Sequence, residues 1–234
     1  MRSIRKIEIG LILALVCFQI PALQGEVKVT EVEKNLSSEE EKEVSPNEDL
    51  MQEHGVLNRI LLIYEEIIVR LKQEKDFPSQ ALSQAATIIK TFIEDHHEKM
   101  EEEFIFPQLE KRNQLVDLIQ TLREQHQAGR AITNYILLHA EYLNIREERQ
   151  EMIQKLETFI TMYRPHEARE DTVVFPALRA ALTEEEYEEL GEEIERAEHE
   201  LFGEEDFDGI VEQVANIEKM LGIYELSQFT PTLS

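Results

Sequence analysis

The sequence has a single cysteine, Cys17, which lies within the first 25 residues. Without a second cysteine, the chain cannot form an internal disulfide or a metal site built from several thiolates. If the segment around Cys17 is removed, no thiol remains at all. Any bound metal must then be held by histidine and carboxylate side chains.

Glycine, proline and basic residues are also scarce. There are only 8 glycines and 7 prolines among 234 residues, and apolar and polar residues seldom alternate, which disfavours a β-rich fold. Only 24 Lys and Arg stand against 49 Asp and Glu, a formal net charge of −25. Because such a chain repels other polyanions, we expect no nucleic-acid partner.

The first 25 residues differ from the rest of the chain. Arg2, Arg5 and Lys6 precede the apolar run "IGLILALVCFQIPAL", and the small residue Gly25 follows near a possible cleavage point. This layout predicts a secretory signal peptide over residues 1–25 and export to the periplasm or medium. The run is short for a membrane-spanning helix, so we expect no stable span after signal removal. An uncleaved N-terminal anchor is the alternative.

The remainder divides by composition into three parts. Residues 26–45 are polar and acidic and are interpreted as a linker. Residues 46–182 carry apolar residues at spacings of three and four, the pattern of amphipathic helices that bury one face. Residues 183–234 form an acidic helical extension and tail.

The helical pattern predicts an all-α fold, an antiparallel up-down four-helix bundle. Ser45, Pro46 and Glu48 have the types expected at the start of the first helix. The predicted bundle helices cover residues 46–72, 79–111, 114–142 and 146–181. Two shorter helices are predicted in the extension, over 184–201 and 208–221.

Two matching strings stand 69 residues apart: "HEKMEEEFIFP" begins at His97 and "HEAREDTVVFP" at His166. In each string a glutamate follows the histidine by four residues, Glu101 in the first and Glu170 in the second. Residues at this spacing lie on one face of a helix. Each pair can therefore reach a common point inside the bundle.

The first and third helices carry one similar histidine each, His54 in "QEHGVL" and His126 in "EQHQAG". This fainter match suggests pseudo-two-fold symmetry, with the first two helices related to the last two. A dinuclear metal site would suit such symmetry, because carboxylates from opposing helices can bridge two ions. Imidazole and carboxylate ligands favour iron or manganese, with zinc possible. Bridging two cations would also explain charged glutamates inside a bundle.

Several neighbouring residues are assigned ordinary roles. Isolated histidines on helices are usually satisfied core or surface residues, and we interpret His96, His139 and His199 in this way. Phe106 and Phe175 are expected to wall the site.

The prolines that follow these phenylalanines, Pro107 and Pro176, are expected to kink or end their helices. Glu98 and Glu167 are expected to face solvent or to support the ligands, although either could add a ligand.

The strings "DLMQEHGVLNRI", "HHEKMEEEFIFP", "LREQHQAGR" and "YRPHEAREDTVVFP" together resemble the hemerythrin-like family, the His-His-Glu cation-binding domain, in its exported bacterial branch. The resemblance covers about residues 46–182 and implies a four-helix bundle with a non-haem di-iron centre. The ligands that it implies are His54, His97, Glu101, His126, His166 and Glu170. Additional or supporting residues are Glu98, Glu167, Asp171 and Arg130.

One position departs from the oxygen-carrying hemerythrins, whose third helix has a second histidine four residues after the first. Here Arg130 stands four residues after His126. One metal would then have an open or water-filled position, or recruit another carboxylate such as Glu98. Asp171 has the spacing of an aspartate ligand used by some oxygen carriers, but Glu170 is the repeat partner of Glu101 and is preferred.

A ferritin-like di-iron oxidase is a weaker alternative. It needs Glu-x-x-His on two helices. Glu94 and His97 supply one copy, but Tyr163 stands three residues before His166, so the second copy is missing.

These residues support three functions. The first is a di-iron protein that binds or senses oxygen, another small diatomic or iron itself. The second is a di-iron oxidoreductase that reduces peroxide, nitric oxide or oxygen. The third is an interaction protein with a structural metal and the acidic extension as its working surface; no protein partner is predicted.

Overall fold

The computed structural model describes residues 45–202 and 207–232, with the side chains of 198–202 excepted. The predicted signal peptide, nearly all of the predicted linker and the His199 side chain lie outside the described residues. Across the described ranges the chain is helical, with no strand. The all-α prediction is therefore confirmed.

The first bundle helix, α1, covers Pro46–Lys72, as predicted. Glu48 Oε2 accepts a hydrogen bond from the Ser45 backbone N–H at 3.3 Å, which satisfies a donor that a helix start leaves unpaired. Leu57, Ile60 and Leu61 belong to the buried face of this helix.

The second and fourth bundle helices run over the predicted residues without a break, but they alternate between α- and π-helical segments. The second consists of α2 (Ser79–Ile88), π1 (Ile89–His97), α3 (Glu98–Met100), π2 (Glu101–Ile105) and α4 (Phe106–Lys111). The fourth consists of α6 (Arg146–Arg169), π3 (Glu170–Val174) and α7 (Phe175–Ala181).

The prolines were expected to kink or end these helices, and they do not end them. Pro107 and Pro176 each lie in the first turn of an α-helical segment that directly follows a π-helical one. Proline lacks the backbone N–H that continues a helical ladder, yet it is tolerated where a segment starts and that donor is not needed. Both helices therefore continue past their proline.

The third bundle helix, α5, covers Val116–His139 and is shorter than predicted. Leu115 has a φ of +52°, a left-handed conformation, so the right-handed helix begins only after it.

Neighbouring bundle helices are antiparallel. In the contacts between the first and fourth helices, the residue number increases along the first helix while it decreases along the fourth. The contacts are Asn47 with Phe175, Asn58 with Glu167 and Lys72 with Glu157. The same holds for the third and fourth helices, where His166 contacts Gln125 and Glu148 contacts His139. This is the up-down arrangement that short connections favour.

The two extension helices, α8 (Glu184–Phe202) and α9 (Phe207–Leu221), were also predicted. A reciprocal pair of hydrogen bonds between Thr183 and Glu186 caps the start of α8. Arg59 of α1 donates two hydrogen bonds, of 2.9 and 2.6 Å, to the carboxylate of Glu218 in α9.

The core has two apolar clusters. The larger contains side chains of α1, α2, α5, α6 and α9, and the smaller contains Leu50, Phe106, Phe175 and side chains of α8. His54, His97, His126 and His166 belong to neither cluster. Along α1, His54 lies between Leu50 of the smaller cluster and Val56 of the larger. The described helices include none that is long and apolar enough to cross a membrane.

Candidate metal centre

Four histidines and two glutamates meet in the polar layer between the apolar clusters. They form two sets whose ligand atoms lie within 4.8 Å of one another, and all six residues are buried. The first set is His54, His97, Glu101 and Glu170, and the second is Glu101, His126, His166 and Glu170. Both sets contain the same two glutamates, so the two candidate metal-binding sets share their carboxylates.

The inner imidazole nitrogens approach these carboxylates. His54 Nε2 is 3.5 Å from Glu170 Oε2, and His166 Nε2 is 3.1 Å from Glu170 Oε1. Glu101 Oε2 is 3.5 Å from His126 Nε2 and 3.8 Å from His97 Nε2. The same-helix pairs thus do converge at the predicted spacing of four residues.

Each of the four histidines donates its other ring nitrogen, Nδ1, to an outer acceptor at 2.7–2.9 Å. This bond places the neutral ring's proton on Nδ1 and leaves the Nε2 lone pair directed inward for a metal. The pairs are His54 with Asp171, His97 with Glu53, His126 with Glu102, and His166 with Gln125.

The outer pairs obey the pseudo-two-fold relation. A residue of the first helix corresponds to the residue 72 positions later in the third helix, and a residue of the second helix to the residue 69 positions later in the fourth. Glu53 therefore corresponds to Gln125, and Glu102 to Asp171. The phenylalanine rings that stack on the histidines obey the same relation. Phe175 stacks on His54 and Phe106 on His126, each at a centroid distance of 5.8 Å. The prediction that these phenylalanines wall the site is confirmed.

The π-helical segments coincide with the ligands. His97 is the last residue of π1, and Glu101 and Glu170 are the first residues of π2 and π3. A π turn changes the rotation per residue and re-aims the side chains that follow. It allows Glu101 to point inward while Phe106, five residues later, still packs on His126.

The two central carboxylates lack hydrogen-bond partners. Glu101 and Glu170 are fully buried, and none of their four oxygens accepts a hydrogen bond of acceptable geometry from the described residues. Leaving a buried carboxylate unsatisfied is costly, unless a cation compensates it. The donor set therefore fits a metal cation.

The pKa values of the two central carboxylates also indicate a site that suits a cation. Burial raises the pKa of Glu101 well above its usual range, and the nearby charge of Glu170 adds to the effect. Burial also opposes ionisation of Glu170, but His166 and His54 together hold its pKa below the usual range. Two adjacent buried carboxylates thus cannot both ionise easily without additional positive charge.

Burial also lowers the pKa of His97, and it lowers the pKa of His126 to about 4 despite the hydrogen bond from His126 to Glu102. Both rings are therefore neutral near neutral pH, which is the protonation state that binds metal. His54 differs, because Asp171 and Glu170 outweigh burial and raise its pKa to about 9.

Glu98 and Glu167 are buried, so the expectation that they face solvent is wrong, while a supporting role agrees with their contacts. Glu98 accepts a 2.6 Å hydrogen bond from the Tyr163 hydroxyl and lies 2.9 Å from Arg130 Nη2. Glu167 accepts a hydrogen bond from Asn58 at 3.1 Å, and burial raises its pKa to about 7. They are buried because each finds a partner on a neighbouring helix.

The remaining histidines with described side chains lie outside both ligand sets. His96 is buried and shares Glu53 with His97, its Nε2 lying 2.7 Å from Glu53 Oε1. His139 is half-buried and its Nδ1 lies 2.8 Å from Glu148. Both are satisfied by a carboxylate, as the interpretation of isolated histidines expected.

The sequence interpretation missed the roles of Glu53, Gln125 and Tyr163. The first two immediately precede the histidines of the first and third helices, so the match between "QEHGVL" and "EQHQAG" already contained the signal. The role of Tyr163 could not be predicted from residue spacing. The Tyr163 hydroxyl reaches Glu98 only because position 129 is glycine, where an added Cβ would lie 2.0 Å from that oxygen.

Comparison with known proteins agrees with this geometry. The chain matches the hemerythrin HHE cation-binding domain over residues 45–178. It is 48% identical over 196 residues to uncharacterized proteins of Mycobacterium bovis and of two strains of Mycobacterium tuberculosis, an alignment that covers 83% of this chain and 77% of each relative. No solved structure gives a significant match. The buried His/Glu clusters and the family match both indicate a metal-binding protein, and the chain belongs to the hemerythrin HHE cation-binding family.

Proposed function

We propose that this protein holds a dinuclear non-haem iron centre and uses it to bind or sense oxygen, another small diatomic or iron itself. The observation that carries the proposal is the pair of buried, unsatisfied carboxylates shared by two histidine pairs. Glu101 and Glu170 would bridge the ions. His54 and His97 would bind one ion, and His126 and His166 the other.

The choice of metal follows from the donor set. Imidazole nitrogens and carboxylate oxygens without thiolate suit iron or manganese, and zinc less specifically. When bound, the iron pair would supply a site for reversible attachment of a small ligand. The chain's own residues fix the rings through their Nδ1 bonds and exclude bulk water with the two stacked phenylalanines.

A di-iron oxidoreductase is the second candidate, and one observation favours it. Each set offers four protein ligands, two imidazoles and two shared carboxylates, and Arg130 stands where a further third-helix histidine would be. An iron ion held by only the four protein ligands of one set would be able to take up a substrate such as peroxide, nitric oxide or oxygen and would supply the redox chemistry for its reduction.

Location is a further part of the proposal. The charged and apolar pattern of residues 1–25 supports export by a signal peptide, with an uncleaved anchor as the alternative. Mass spectrometry of the mature chain would test this, since export with cleavage predicts a new amino terminus near residue 25.

The central test is anaerobic reconstitution of the metal-free chain with ferrous iron. We expect two irons per chain and a new charge-transfer absorption band when oxygen is added. A band that persists and reverses when oxygen is removed supports a carrier or sensor, whereas decay with repeated turnover supports the oxidoreductase. Absence of stoichiometric iron would overturn both.

A double variant tests the ligands. Glu101→Gln with Glu170→Gln should abolish the dinuclear centre and leave one weak site or none. A matched control is Glu65→Gln with Glu157→Gln, which removes two exposed carboxylates that pair with Arg164 and Lys72. Retention of two irons in the first double variant would refute the assignment.

A further inference from the structure

Three carboxylates form a ladder on the second bundle helix, spaced four residues apart at Glu94, Glu98 and Glu102. This spacing places them one above another on one helix face. Arg130 of the third helix faces them, with Nη2 2.9 Å from Glu98 Oε2 and 3.0 Å from Glu102 Oε1. The Arg130 guanidinium thus lies between two of the carboxylates.

An open cleft of about 670 Å³ lies beside this ladder. Four carboxylates and two cationic groups line it, so its field attracts cations. The lining residues are Thr91, Glu94, Asp95, Lys99, Glu102, Glu103 and Arg130.

Glu94 provides independent evidence that the cleft takes a ligand. Its side chain has no exposed surface, yet it lines the cleft, and neither of its oxygens accepts a hydrogen bond of acceptable geometry from the described residues, the Thr133 hydroxyl being a neighbouring donor. The nearest ammonium group, Lys90 Nζ, is 3.7 Å from Oε2, beyond hydrogen-bond distance. A buried carboxylate without such a partner is a favourable ligand for a cation that enters the cleft.

The pseudo-two-fold relation shows that this arrangement is special to one half of the bundle. The counterpart of Glu94 is Tyr163, and the counterpart of Arg130 is Asn58. The other half therefore lacks both the third carboxylate and the guanidinium. Bundle symmetry alone does not require the ladder, so its acidic residues need an explanation of their own.

The inner end of the ladder reaches the metal centre. Glu102 lines the cleft and also accepts the 2.9 Å hydrogen bond from His126 Nδ1. Glu98, Glu102 and His126 together form a third group whose ligand atoms lie within 4.8 Å of one another. Only one side chain, Glu102, therefore separates the cleft from a proposed ligand of the centre.

We propose that the cleft is an entry site for a divalent metal cation, which first meets the buried carboxylate of Glu94, then moves along the ladder to Glu98 and Glu102 as Arg130 moves aside, and finally passes to the buried centre. Oxygen ligands suit hard or borderline ions such as ferrous iron and manganese. Before the ion binds, the positive charge of Arg130, whose side chain is 30% exposed, compensates the negative charge of the neighbouring carboxylates. This inference rests on the proposed metal-binding function.

The test measures how fast the metal-free full chain takes up cobalt(II), whose visible absorption reports binding to histidine and carboxylate ligands. Glu94→Gln keeps the side chain's shape and removes its charge. We expect loading about tenfold slower, the low end of the effect of an attracting cleft on association rates. The final cobalt count per chain should equal that of the wild type.

Two further variants sharpen the comparison. Asp95→Asn removes a carboxylate of the same cleft at a side chain that is 58% exposed, where folding is not at risk, and should also slow loading. Glu65→Gln removes an equal charge from an exposed ion pair with Arg164 and should leave the rate unchanged. High salt should reduce the difference between wild type and cleft variants.

The possible results separate this inference from the proposed function. Normal rates in Glu94→Gln and Asp95→Asn, with full cobalt loading, would overturn the entry site and leave the metal centre intact. A lower final cobalt count in Glu94→Gln would make Glu94 part of the centre and would also overturn it. Failure of the wild type to bind cobalt or iron stoichiometrically would instead refute the proposed function.

Discussion

Alanine at position 129 should destabilise the protein, although glycine-to-alanine changes inside helices usually stabilise. Gly129 lies within α5, and an added Cβ would be 2.0 Å from the Tyr163 hydroxyl oxygen and 2.8 Å from the ring carbon that carries it. These atoms cannot yield easily, because Tyr163 is buried and its hydroxyl is bonded to Glu98.

The magnitude follows from opposing effects on the free energy of unfolding. Alanine gains about 1 kcal/mol from helix propensity. Overpacking of the Tyr163 ring costs about 1–3 kcal/mol. If the ring moves away, Glu98 loses its buried hydrogen bond, which costs about 1–3 kcal/mol more. We therefore expect a net loss of about 2 kcal/mol, which lowers the Tm by roughly 6 °C in a chain of this size.

The assay is urea and thermal unfolding of the metal-free chain, followed by circular dichroism. Gly55→Ala is the matched control, because nothing lies within 4 Å of its added Cβ, and it should stabilise by about 1 kcal/mol. Adding Tyr163→Phe to Gly129→Ala removes the closest atom and should recover part of the loss. If both alanines stabilised equally, the close approach of Tyr163 to the third helix would be refuted.

Three further predictions concern other parts of the molecule. Glu53→Gln removes the carboxylate shared by two histidines and should weaken metal binding about 10–100-fold in chelator competition; unchanged affinity would exclude an orienting role. Burial and nearby acidic groups raise the pKa of Asp49 to about 6. Ionised Asp49 therefore destabilises the fold, and stability is lost as pH rises from the unfolded pKa through about 6. At pH 8 the free energy of unfolding of Asp49→Asn should exceed that of the wild type by about 1 kcal/mol after allowance for partial exposure, which raises its urea midpoint. At pH 4 the two midpoints should be equal. Glu218→Gln weakens the paired hydrogen bonds from Arg59 and should cost about 1 kcal/mol, whereas an unchanged urea midpoint would show that α9 is held by apolar contacts alone.

Much of the fold could be predicted because its helices are long and strongly periodic. The position of α1 followed from capping residues and apolar spacing, and the start of the fourth helix at Arg146 followed from apolar spacing alone. The π-helical segments could not be predicted in this way. Their residues are ordinary helix formers, so local propensity does not distinguish a π-helical turn from an α-helical one.

The candidate site was predictable as far as the repeat extends. The inner residues His97 and Glu101 recur as His166 and Glu170 with the same spacing, so their convergence follows from helix geometry. The outer acceptors are different. Glu53 and Gln125 precede matched histidines in the sequence, but which histidine each one contacts depends on helix packing: Glu53 accepts from His97 and Gln125 from His166.

The order in which the chain is made has a consequence for when the bundle can close. Among the described α-helices, α1 is synthesised first and shares its core cluster with α9, the last of them, and Arg70 near the end of α1 donates a hydrogen bond to the backbone carbonyl of Leu221. The family match ends at residue 178, so a nascent chain of that length carries every proposed ligand but not this last helix. One face of α1 would then be exposed to solvent and to other nascent chains. Burial of the larger apolar cluster is therefore completed only after α9 has been synthesised.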